Sequence, residues 1–155
     1  MDGRTFDPLG YLATARALAR RLDEDAELAG LAFQPVTSAG HLVFDSGGGH
    51  VYTYELVASA RADQQPDASG HRKYIVSVEL VADGTATVRR ESAEHCPRAA
   101  RPRPRCALAQ VWARALATGV DRAEHGRMEW AGKDWRFAGV KAGNHVTLDI
   151  PDDCH

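Results

Sequence analysis

The chain is poor in aromatic residues and cysteine, nearly neutral overall, and without any long apolar run. Phe, Trp and Tyr make up 7% of its 155 residues, so its core must lean on Leu, Val and Ala. No stretch approaches the ~18 consecutive apolar residues of a membrane span, and no membrane partner is expected. Residues 1–21 lack a basic segment followed by an unbroken apolar one, so no signal peptide is expected. Three cysteines, Cys96, Cys106 and Cys154, cannot all pair within one chain. Without an export signal they are expected as reduced thiols in a cytoplasm. A formal charge of −2 excludes a global attraction to nucleic acid or anionic membrane, so any electrostatic function has to be local.

What is present suits one globular domain. Hydrophobic residues at 44% and charged residues at 26% are ordinary for a folded protein and exclude wholesale disorder. The length fits a single domain over residues 1–155 with one core. Asp7-Pro8 is a helix start signal, and Leu12, Ala15, Leu18, Ala19, Leu22 and Ala26 follow at helical spacing towards a stop at Gly30. From Gly40 the period changes to two, predicting strands over 41–45, 49–59, 73–82 and 85–91. Asp83-Gly84 is a hairpin turn signal between the last two of these. Residues 61–72 and 92–105 are expected to be mobile loops.

A second helix is predicted over 106–118, with Leu108, Val111, Trp112, Ala115 and Leu116 as its apolar face. Beyond it, Ala131-Gly132-Lys133-Asp134 reads as a hairpin turn that pairs Trp130 with Trp135 and Met128 with Phe137. Val146, Leu148 and Ile150 alternate in a last strand. The predicted order is α-β-β-β-β-α-β-β-β, an α+β fold with a mostly antiparallel sheet of six or seven strands and two helices on one face. No internal repeat is visible in the sequence.

The residues that carry chemistry are few. Positions 89–105 hold six arginines (89, 90, 98, 101, 103 and 105) against two glutamates (91 and 94). Pro97, Pro102 and Pro104 keep this strip extended, spreading guanidinium groups that can grip phosphates or an acidic protein surface. A solvated connecting loop is the plain alternative. His95-Cys96 invites comparison with the His-Cys-x5-Arg loop of cysteine phosphatases, but the arginine position holds Pro102 and the loop has no glycine. Cys106, at a helix start beside Arg105, is the catalytic candidate, since both neighbours stabilise a thiolate. His95, Cys96, Cys106 and Cys154 form a conceivable metal set, although Cys-x9-Cys matches no standard zinc spacing. Ser46 to His50 is glycine-rich but leads into a strand and carries no lysine, so it is read as a turn. A sheet-based hydrolase would draw on Glu55, Glu79, His50 and His145 with Arg89 and Arg90 nearby.

No cofactor is expected, and elimination favours a binding protein over an enzyme. The reading is a small protein-binding module, an inhibitor or immunity-type protein that covers a partner's surface. Its contact residues would be Arg98, Arg101, Arg103, Arg105, Tyr52 and Tyr54, because Arg and Tyr are enriched at interface hot spots. The alternatives are a nucleic-acid-associated protein using the same arginines, and a small hydrolase or thiol enzyme.

Overall fold

The computed structural model describes residues 4–44, 51–58, 74–80, 85–92, 101–122 and 125–154. Among them, one hydrophobic cluster draws residues from both helices and from strands across the sheet. Helix α1 (Leu12–Arg20) buries Leu12, Ala15 and Ala19 at the predicted spacing. It stops ten residues short of Gly30. Asp7 accepts a hydrogen bond from the Leu9 N–H at 3.0 Å, which makes a turn before the helix instead of capping it. The chain then turns around Asp23, leaves Leu22 exposed, and enters β2 (Glu27–Val36).

The helical reading of 22–30 is therefore corrected, and the reason is burial on both faces. Leu28, Ala29, Gly30 and Leu31 are consecutive and all buried. A strand of that kind shows no alternation, and Ala-Leu-rich sequence imitates a helix tail. Two short strands, β1 (Arg4–Phe6) and β3 (Leu42–Phe44), pair with each other, and β3 also pairs with the end of β2. The remaining strands match the sequence reading: β4 (Val51–Ala58), β5 (Tyr74–Leu80), β6 (Ala86–Ser92), β7 (Gly126–Trp130), β8 (Asp134–Lys141) and β9 (Asn144–Pro151). Helix α2 (Leu108–Ala117) precedes β7.

The main sheet runs β6-β5-β4-β2-β7-β8-β9 with every pairing antiparallel, so the expected α+β class holds. Each helix is followed by an antiparallel meander, and the first strands of the two meanders, β2 and β7, pair in the middle. Registers across the sheet align Val88, Val78, Tyr54, Leu31, Trp130, Trp135 and Ile150 in one row. The core residues of this row lie on the face that both helices cover. All three tryptophans are buried. Trp112 of α2 meets Phe137 edge-on at 4.6 Å and donates its Nε1–H to Val36 O at 3.2 Å. A Cβ on Gly126 would fall 2.9 Å from Trp112, so glycine there lets the indole reach the sheet.

The opposite face carries the row Asp149, Arg136, Glu129, Ala32, Thr53, Glu79 and Thr87. Several of its charges are paired on the sheet itself: Arg136 with Asp149, Arg127 with Glu129, and Arg89 with Glu79. Among the described residues no helix is long and apolar enough to cross a membrane. The expected loop at 61–72 and the turn at Asp83-Gly84 lie outside the described residues.

Candidate functional site: a pinned arginine strap

Residues 101–106 lie outside any helix or strand and form a strap held along its length. The Arg101 N–H donates to Leu28 O on β2 at 2.7 Å. The stem of Arg101 lies against Gly132 in the β7–β8 turn, where any Cβ would sit 2.4 Å from Arg101 Cδ. The Arg103 guanidinium donates to Leu9 O at 3.2 Å, and Pro104 is buried. The Arg105 and Cys106 N–H groups both donate to the Asp152 carboxylate, at 3.0 and 2.8 Å. The expected mobile loop therefore ends in a segment tied to three other parts of the chain. Pro102 and Pro104 keep a helix from starting earlier, and α2 begins only at Leu108.

Asp152 is the hub of this arrangement. Besides the two strap amides, its carboxylate accepts from Trp130 Nε1 at 3.3 Å and Trp135 Nε1 at 3.1 Å. It therefore satisfies both indoles of the aromatic hairpin pair and fixes the strap above them. A carboxylate accepting several N–H groups forms stronger bonds than a neutral acceptor. The flanking tail is also held. Arg114 of α2 binds Pro151 O and the Asp153 carboxylate, and Cys154 is disulfide-bonded to Cys106 with Cα atoms 4.9 Å apart.

The disulfide overturns the expectation of reduced thiols at Cys106 and Cys154. It also removes Cys106 as a thiol nucleophile, because neither sulfur carries a thiolate. The conceivable metal set fails for the same reason, since two of its four ligands are bonded to each other. Among the described residues no group of His, Cys, Asp and Glu could hold a metal ion. His95, Cys96 and Arg98 lie outside the described residues, as do His50 and the glycine-rich turn before it.

Arg101, Arg103 and Arg105 are all exposed, and among the described residues no carboxylate pairs with any of them. Beside them opens a cleft of about 440 Å³, lined in part by Gly40, His41, Arg103, Arg105 and Leu108. A smaller cleft of about 190 Å³ lies on the other side, between Arg101, Arg103, Leu12 and Glu27. There the single carboxylate, Glu27, is already engaged by α1. Arg16 and Arg20 of α1 converge on Glu27, and the Arg16 hydrogen bond above all holds its carboxyl below the ordinary value of 4.5.

The other sequence candidates are not brought to the strap. For Tyr52 and Tyr54 the structure describes the backbone alone, in register with Phe33 and Leu31, both buried. Glu55, Glu79 and Arg89 lie on neighbouring strands, but His145 of the hydrolase set does not join them. Glu79 on β5 and His145 on β9 are five strand spacings apart, about 24 Å, too far to act on one bond. Sequence reasoning missed Asp152, Arg114 and the Cys106–Cys154 pair. The local signal was slight: two aspartates before a cysteine at the end of the chain. Compared with known proteins, the chain matches no family model, no curated protein and no solved structure.

Proposed function

We propose that the chain is a binding protein that receives an acidic surface of a partner protein on the Arg101–Arg103–Arg105 strap, covering that surface as an inhibitor does. The observation that carries this reading is the combination of exposed guanidinium groups, without a carboxylate partner among the described residues, with a backbone tied down beneath them. A strap fixed before binding loses little entropy when a partner docks. Arginine suits the task because its planar fork meets carboxylates in two parallel hydrogen bonds. The paired charges on the open sheet face offer no comparable unbalanced strip. The disulfide favours an oxidising compartment over the cytoplasm, since cytosolic thiols are kept reduced.

The experiment is capture from the native host with the wild-type chain and with an Arg101→Ala, Arg103→Ala, Arg105→Ala variant, each with and without nuclease. The expected result is a protein partner that survives nuclease, weakens only moderately between ~50 and 200 mM salt, and is lost from the variant. Steep loss over that salt range together with nuclease sensitivity would transfer the strap to nucleic-acid phosphates. Equal capture by the variant would remove the strap from the function altogether.

A further inference from the structure

We infer that β9 is the contact edge of a symmetric dimer, pairing antiparallel with β9 of a second copy so that the two sheets become continuous. The inference is independent of the strap. Strand β9 is the last on the sheet path, and among the described residues no strand pairs with its outer side. The β8–β9 turn has φ of +49° at Ala142 and +77° at Gly143, the two-residue turn whose closing pair, Lys141 and Asn144, is hydrogen-bonded. Alternation along the strand then fixes the rest. Asn144, Val146, Leu148 and Ile150 direct their backbone groups to β8, whereas His145, Thr147 and Asp149 direct theirs outward. These three residues are exposed, while Val146 and Leu148 are partly buried against the core.

The strand is self-complementary in one register. With Thr147 on the two-fold axis, His145 stands opposite Asp149 of the second copy, and Val146 stands opposite Leu148. The His–Asp pairing occurs twice, and every outward N–H and C=O of the three residues meets a partner. Sliding two residues one way sets His145 opposite Pro151, which has no N–H to give. Sliding the other way sets Asp149 opposite Gly143 in the turn and loses the His–Asp pairing. The other outer strand, β6, carries Arg89 and Arg90 in succession, so pairing it with itself would bring like charges together. An edge-to-edge contact lies at the small end of specific interfaces, so the dimer should form at micromolar or higher concentration.

Sedimentation of the intact chain from about 10 μM to about 1 mM tests this, with circular dichroism as a check on folding. The wild-type chain is expected to pass from monomer to dimer across that range. Thr147→Pro deletes the outward N–H at the two-fold while leaving the β8 pairing in place, and is expected to stay monomeric. Asp149→Lys is expected to weaken the dimer at least ~10-fold, and adding His145→Asp to the same chain should restore it. A wild-type chain that remains monomeric throughout would overturn the inference, its edge then being covered by another segment or partner. A dimer indifferent to both Thr147→Pro and Asp149→Lys would overturn it equally.

Discussion

Asp152 gathers four N–H donors on one partly buried carboxylate, two from the strap and two from indoles. Asp152→Ala leaves all four without that acceptor, and the two indoles belong to buried tryptophans. Hydrogen bonds to a charged group contribute about 1.5–3 kcal/mol, so the variant should lose roughly 2–4 kcal/mol in urea unfolding. A loss under about 0.5 kcal/mol would mean that the donors find water instead. Glu27 gives a second residue-scale expectation, one that depends on pH. Its folded carboxyl is held low by Arg16 and Arg20, so its contribution is present above the ordinary value of 4.5. It fades as the pH falls through the lower folded value. The stability gap between wild type and Glu27→Gln should therefore shrink on acidification below about pH 4.5. Both partners are substantially exposed, so the gap itself should be small.

At the scale of elements, α2 and the C-terminal tail behave as one clamp on the sheet. Gly40 (φ +78°) seats the start of α2, and a Cβ there would stand 2.6 Å from Ala109 N. Gly40→Ala meets both a left-handed backbone and a backbone clash, and should lower stability by about 1–3 kcal/mol in thermal or urea unfolding. The Cys106–Cys154 bond closes a loop of sequence separation 48 and should contribute about 2–4 kcal/mol, measured as the loss in Cys154→Ser under oxidising conditions. Thiol titration of the unfolded chain should find two more thiols after reduction than before it.

The elements also divide what the sequence disclosed from what it concealed. The Trp130–Trp135 and Met128–Phe137 register was readable because Gly132 fixes the turn and aromatic residues face one another. The β2 strand was hidden because its first half, Leu28 to Leu31, is buried without alternation and imitates a helix tail. The arginines of the strap were visible in composition and prolines, but their anchoring was not. It depends on Asp152, 47 residues from Arg105, and on a disulfide of comparable span. Contacts of that range are set by tertiary folding and leave no local pattern.

The molecule as a whole joins two helix-and-meander halves through β2 and β7, with one face of the sheet closed by helices and the other polar and substantially self-paired. The strap's positive charge, unpaired among the described residues, sits where the first half's helix, the second half's hairpin and the C-terminal tail meet. Docking there engages both halves at once, so a bound partner should slow global unfolding rather than stabilise one region alone.

The central claim is that this strap is rigid before any partner arrives, and amide hydrogen exchange of the free protein measures it directly. Arg101, Arg105 and Cys106 should exchange about a hundredfold or more slowly than an unstructured segment, with Asp152→Ala releasing Arg105 and Cys106. Exchange of all three at the rate of a free loop would contradict a preformed strap and return these arginines to the status of a solvated connection.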